Sequence, residues 1–153
     1  MPYLTPKGLL RVMILSLAVA PAAVRAEEAI GQIKTEAGSV SIQRHGANGA
    51  ARIGDHVFRS DTIVTAANSA VGITFADNSL MSLGPDSRLR LDQFQFNTTT
   101  HQGQFEAALQ KGTLAVKSGQ IVRQTPGAMR IRTPAALLGV RGTEFVVRAG
   151  GAE

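Results

Sequence analysis

Three copies of one short pattern run head to tail through the middle of the chain: Asn68-Ser69-Ala70-Val71-Gly72-Ile73, Asn78-Ser79-Leu80-Met81-Ser82-Leu83 and Asp86-Ser87-Arg88-Leu89-Arg90-Leu91. Each joins a turn former to a serine and then sets apolar residues at alternate positions. Alternation of period two is what a strand with one buried face requires, and Asn or Asp before Ser is favoured where the backbone turns. The copies start ten and then eight residues apart, too close for helical repeats and suited to short strands joined by tight turns. A three-residue loop at Asp77-Asn78-Ser79 sets Phe75 opposite Met81 and Ile73 opposite Leu83, whereas a two-residue loop would set Ile73 against Ser82. The same spacing at Pro85-Asp86-Ser87 sets Leu83 opposite Leu89 and Met81 opposite Leu91. The pattern therefore predicts Ile73, Phe75, Met81, Leu83, Leu89 and Leu91 on one buried face, with the serines serving turns rather than acting as nucleophiles.

The flanking segments carry the same signal. Ile30, Ile33, Val40 and Ile42, around Gly31 and Gly38, read as an entry strand and hairpin, followed by a loop at His45–Gly49. Asp61-Thr62-Ile63-Val64-Thr65 reads as a short strand. Phe94 and Phe96 lead into a polar connection through Gly103, and Phe105, Ala107 and Leu109 alternate up to a turn at Lys111-Gly112, after which Leu114 and Val116 alternate again. Met129 and Ile131 alternate with Arg130 and Arg132. Thr133 as N-cap, Pro134 at the first helical position and Gly139 as terminator predict one or two helical turns. The fold class is all-β: a single small domain of short strands, a meander or a β-solenoid or β-roll, with no long helices.

The first 26 residues read as a cleaved signal peptide. Lys7 and Arg11 precede an apolar run from Val12 to Ala20, Pro21 breaks it, and Val24-Arg25-Ala26 offers small residues before Glu27-Glu28. Val12 to Val24 is too short for a membrane span, which needs about 18–20 residues. The expected domain is 27–153, with its core at about 37–147. Formal charge is +5, but Lys7, Arg11 and Arg25 lie in the leader. Their removal leaves 13 Lys and Arg against 11 acids, a net charge of +2. Such a surface argues against nucleic acid or an anionic membrane as partner. The chain has no cysteine, which excludes disulfides, thiolate metal sites and lipoprotein anchoring. The expected location is periplasmic or secreted.

Catalytic motifs are missing: there is no G-x-S-x-G elbow, H-E-x-x-H pair or Gly-rich phosphate loop. His45, His56 and His101 are isolated and read as surface residues, so no metal and no cofactor are expected. Asp55 with Asp61, and Asp86 with Asp92, could be imagined as hydrolytic carboxylate pairs, but turn aspartates bonding their own backbone are commoner. Tyr3 leaves with the leader and there is no tryptophan. Phe75, Phe94, Phe96, Phe105 and Phe145 sit at core positions, so few rings remain for a sugar or single-stranded nucleic-acid platform. The segment least like routine strand is Arg141-Gly142-Thr143. Gly139 and Gly142 bracket Val140-Arg141 and could supply positive φ, and Arg141 brings a five-donor fork, either to lock the loop or to meet a ligand.

In order and spacing these pieces resemble the FecR domain family, named after the periplasmic ferric citrate regulator. The resemblance runs from about Ala37 to Phe145: Gly38-Ser39-Val40, Gly54-Asp55, Asp61–Thr65, the serine-led repeat with Ala76-Asp77-Asn78-Ser79, Leu109–Val116 around Lys111-Gly112, Thr133-Pro134, and Gly139-Val140-Arg141-Gly142-Thr143-Glu144-Phe145. It implies an all-β, exported, non-enzymatic module. In the founding systems the family carries a signal from an outer-membrane transporter to a cytoplasmic sigma factor across an inner-membrane helix. Here no cytoplasmic N-terminal region or uncleaved membrane helix is expected. The family usually adds a further strand pair after the Arg-Gly-Thr segment, and this chain runs eight residues past Phe145. Phe145-Val146-Val147 is therefore expected to form an open edge for a protein partner or a second copy of the chain. The functional reading is protein contact in envelope sensing, signalling or scaffolding, with Arg141, Gly142, Thr143 and Phe145 as contact or structural residues. The alternative is a cell-wall or polysaccharide-associated domain.

Overall fold

The structure, a computed structural model, describes residues 22–150. The leader reading lies, through residue 21, outside the described residues. Among these the chain forms β1 (Gly31–Ala37), β2 (Val40–Arg44), β3 (Ala47–Ala50), β4 (His56–Val57), β5 (Thr62–Thr65), β6 (Ala70–Phe75), β7 (Leu80–Leu83), β8 (Arg88–Phe96), β9 (Gly103–Lys117), α1 (Gln120–Gln124), β10 (Met129–Arg132), β11 (Leu137–Val140) and β12 (Glu144–Ala149). The strands join one sheet in the order β3-β2-β5-β8-β9-β7-β6-β1-β4, with β10 and β12 attached to β9 and β11 to β10. The all-β class read from the alternation holds, and α1 is a single short helix of 5 residues.

β9 is the spine. Its first part pairs with β8 and its second with β7. β10 runs parallel to Phe105–Ala108, and β12 antiparallel to Gly112–Lys117. Gly112 adopts φ 93° where β9 passes from one partner set to the other. The sheet curls into two layers, one holding β2, β3, β5, β8, β10 and β11, the other β1, β4, β6, β7 and β12. Apolar side chains meet between them. Phe75 of β6 lies 6.0 Å from Phe94 of β8 and 4.7 Å from Phe105 of β9, and the latter two meet edge to face at 5.1 Å. Such contacts add to the burial that drives the fold.

The face predicted from the repeat is the buried one: Ile73, Phe75, Met81, Leu83, Leu89 and Leu91 are all at or below 2% exposure. The pairings differ. In the β6–β7 hairpin Ile73 lies opposite Met81 and Val71 opposite Leu83, and the Phe75 amide donates to Ser79 O at 2.9 Å. The loop is therefore Ala76–Asn78. The register is displaced by two residues, which preserves every facing because side chains alternate with period two. The expected Leu83–Leu89 and Met81–Leu91 pairs do not form. β7 and β8 lie in different layers, and Leu83 and Met81 instead face Leu114 and Val116 of β9.

The serines mark the places where the chain turns. Asn68, Asn78 and Asp86 hold φ of 55°, 65° and 51°, a left-handed conformation that Asn and Asp tolerate better than most residues. The serines that follow are buried. Ser69 Oγ accepts the Ser39 amide at 2.8 Å, Ser79 Oγ that of Gly119 at 3.0 Å, and Ser87 Oγ that of Thr113 at 3.0 Å. Each hydroxyl also donates two residues back, to Ala67 O, Asp77 Oδ2 and Pro85 O respectively. Each serine-led turn abuts a glycine. A β-carbon at Gly38 or Gly112 would collide with the Ser69 or Ser87 hydroxyl, and one at Gly119 with the backbone of Asp77–Ser79. The repeat is thus a set of three serine-to-backbone clasps.

The helix expected at Thr133–Gly139 is a hairpin instead. Thr133 N donates to Ala136 O at 2.8 Å and Ala136 N to Thr133 Oγ at 3.0 Å, which closes the turn between β10 and β11. The helix that does form, α1, begins just after Gly119. β9, at 15 residues, is longer than the short strands expected.

Candidate functional site

Arg141, Gly142 and Thr143 connect β11 to β12. Their backbone is fastened by Ser118, whose hydroxyl donates to Gly142 O at 2.8 Å and whose amide donates to Thr143 O at 2.8 Å. Ser118 is buried and adjoins Gly119, which sits in the Ser79 clasp. Beneath lies Asp77, wholly buried. Its Oδ1 accepts the Ser79 amide at 3.0 Å, its Oδ2 the Ser79 hydroxyl at 2.7 Å and the Ile121 amide at 3.4 Å, and its carbonyl accepts the Gln120 amide at 2.8 Å. One polar network therefore runs from the second serine repeat through the start of α1 to the connection before β12. Sequence reasoning missed Asp77 and Ser118. The signal was the Ser118-Gly119 pair, a glycine beside a polar residue opposite a serine-led turn.

That network leaves Arg141 outside. The residue is exposed, and its guanidinium makes no ion pair among the described residues. Gly139 and Gly142 do not adopt positive φ, and a β-carbon at either would meet nothing within 4 Å. The glycines keep this surface open rather than bending it. Phe145 faces inward, half-buried against the core and opposite Val116.

β12 then presents an unoccupied edge. Glu144, Val146 and Arg148 are exposed, while Val147 and Ala149 are buried. The Ser118–Thr143 hydrogen bond fixes the alternation: Phe145, Val147 and Ala149 exchange bonds with β9, so the N–H and C=O of Glu144, Val146 and Arg148 point away from it. Among the described residues no strand lies on that side. On the outer face Val146 is 64% exposed and Leu80 42%. Both line a shallow groove of about 450 Å³ with Ala115, Lys117, Glu144 and Phe145. Lys117 and Glu144 pair at 3.4 Å. Leu80 was not singled out in the sequence because it follows Ser79 on the polar side of the alternation.

A second groove, of about 710 Å³, is lined by His45, His56, Asp55, Arg44, Ile42 and Phe58 among others. The described residues contain no group of three or more His, Cys, Asp and Glu able to hold a metal ion. Asp55 accepts the Arg52 amide at 2.9 Å, the bonding of a turn residue. Asp61 is wholly buried and takes Arg44 Nε at 2.8 Å, Arg44 Nη2 at 2.7 Å and the Phe58 amide at 2.8 Å. The bonds to Asp61 raise the Arg44 pKa above its usual range. Arg44 in turn lies over the Phe58 ring at 4.4 Å. Asp61 is a fastening for β2, with no access to a substrate.

Comparison with known families decides the relationship. The family model described as FecR protein matches residues 61–153. The chain belongs to the FecR family. That family is one of signalling and regulation. Its matched span begins at Asp61, the buried partner of Arg44, and takes in the serine repeats, β9, the Arg141 connection and β12. β1 and β2 precede the FecR match yet complete both layers of the sheet. No curated protein and no solved structure matches the chain.

Proposed function

We propose that this FecR-family chain is an exported, non-catalytic module that works by protein–protein contact in envelope sensing, signalling or scaffolding, using the Arg141 connection and the β12 edge. One observation carries the reading: the outward N–H and C=O groups of Glu144, Val146 and Arg148 border a face that exposes Val146 and, across β9, Leu80. Edge strands are ordinarily blunted by shortness, charge or cover. The other edge strands, β3, β4 and β11, have 4, 2 and 4 residues, whereas β12 has 6 with a valine at its centre. An extended segment adding to such an edge gains main-chain hydrogen bonds, and side-chain pockets give it specificity.

The phenylalanines support contact with protein over contact with sugar. Phe75, Phe94 and Phe105 are buried, Phe96 and Phe145 pack on the core, and Phe58 lies under Arg44. The leader at residues 1–26 supports export to the periplasm or beyond, and no helix among the described residues is long and apolar enough to cross a membrane.

The test is a photo-crosslinking residue at position 146 of the full chain in its native host, with fractionation of the cell. The expected result is a discrete adduct in the periplasmic or secreted fraction that Arg141→Ala weakens and Arg148→Pro, which removes another outward N–H of the same edge, abolishes. A chain that stays in the cytoplasm, or adducts indifferent to both changes, would overturn the reading.

A further inference from the structure

We infer that the β12 edge is self-complementary and pairs antiparallel with β12 of a second copy, Val146 lying on the two-fold axis. The inference rests on the contact reading above and names its occupant. In a symmetric antiparallel pair centred on Val146, Glu144 falls opposite Arg148 of the partner and Arg148 opposite the partner's Glu144. The three residues concerned are those whose backbone groups point outward, so each opposed pair is of the hydrogen-bonded kind. They are also the three whose side chains lie on the exposed face. Backbone direction, facing and charge sign thus agree on one register. A shift of two residues either way keeps the hydrogen-bond parity but breaks both Glu–Arg pairs.

Neighbouring features extend the match. Val146 meets Val146 of the partner, and Ala115 stands next to Val146 across β9, so the apolar strip continues through the axis. Lys117 flanks Glu144 at 3.4 Å on the side away from the new strand, leaving the carboxylate between two cations. The two curled sheets would join into one, covering the edge that each copy leaves open.

Three variants of the full chain test this by sedimentation across a concentration series. Val146→Pro removes an N–H that points away from β9, so β12 keeps its own bonds. It should leave the melting temperature of the dilute monomer unchanged and abolish the dimer. Arg148→Glu opposes like charges twice and should weaken dimerisation about tenfold. Glu144→Arg combined with Arg148→Glu, made together with Lys117→Glu so that position 144 keeps an opposite charge beside it, restores both opposite-charge pairs and should recover most of the affinity. A monomer at every concentration overturns the inference. So does a dimer indifferent to Val146→Pro, or one that the combined reversal fails to rescue. If the chain is monomeric while position 146 still crosslinks to another envelope protein, the second copy is ruled out and the contact reading stands.

Discussion

Thr113 donates its amide to Ser87 Oγ at 3.0 Å beside the point where β9 leaves one layer and enters the other. The preceding residue, Gly112, has φ 93° and no room for a β-carbon against Ser87. The passage between layers, the left-handed backbone and the serine hydroxyl are therefore one device, and each part can be removed separately.

Ser87→Ala leaves the Thr113 amide without its acceptor and should cost about 1–3 kcal/mol. Gly112→Ala combines positive φ with a collision against Ser87 and should cost more, on the order of 3 kcal/mol or above. Urea unfolding of both variants checks the ranking. Equal midpoints would mean that the clasp does not hold the corner.

Asp77→Ala removes the acceptor for the Ser79 amide, the Ser79 hydroxyl and the Ile121 amide together. The expected loss is about 2–4 kcal/mol, and it should spread beyond the hairpin. Amide exchange should quicken at Ile121 and Ser118, because the Asp77 network reaches the Thr143 carbonyl through Ser118. Acceleration confined to Asn78 and Ser79 would contradict that continuity.

Arg44→Met leaves the buried Asp61 carboxylate with one donor, the Phe58 amide. Arg44 has a side-chain exposure of 37%, so the cost should fall between that of a surface pair and that of a buried one, about 1–3 kcal/mol. The hydrogen bonds and charge of Asp61 raise the Arg44 pKa. A raised pKa contributes stability that is complete below the unfolded value and is lost only as pH climbs through the folded one. The difference between wild type and Arg44→Met should accordingly stay flat from about pH 6 to pH 10, well under the arginine range. Thermal melts across that interval measure it.

Arg141→Ala should change unfolding free energy by no more than about 0.5 kcal/mol, as expected of an exposed residue without an ion pair. Ser118→Ala, which frees the Gly142 carbonyl while the backbone amide of residue 118 keeps its bond to Thr143 O, should cost about 1–2 kcal/mol. The contrast separates the residue that offers a contact from the one that positions it. Matching losses in the two variants would assign Arg141 a structural role.

Facing was legible in the sequence because it depends only on parity, and all six residues of the serine-repeat face are buried. Register was not. The β6–β7 loop closes at Phe75 and Ser79 because Asp77 turns inward and Ser79 is held by Gly119, a residue 40 positions away. The absent β7–β8 hairpin has the same origin: the turn at Gly84–Ser87 carries the chain between layers, and only β9 shows that two layers exist. The helix was misplaced for a related reason. Thr133-Pro134 has the local chemistry of a helix start, yet Thr133 and Ala136 close a hairpin turn. Gln120–Gln124 has β-branched residues and little helical signal, and it coils because Asp77 accepts the amides at its start. Arg141 stood out as a residue between glycines. Its exposure and the outward backbone of β12 depend on Ser118 and could not be read locally.

β9 also dictates an order of events. Before residues 103–117 emerge, β6 with β7 and β5 with β8 can form only two half-sheets, each ending on an edge that β9 must cover. Closure therefore waits for the final third of the chain and relies on pairings distant in sequence, which form slowly. Such a chain stays unfolded longest during its own synthesis. That is the behaviour the proposed export calls for, a polypeptide crossing a membrane as an extended thread and acquiring its structure on the far side.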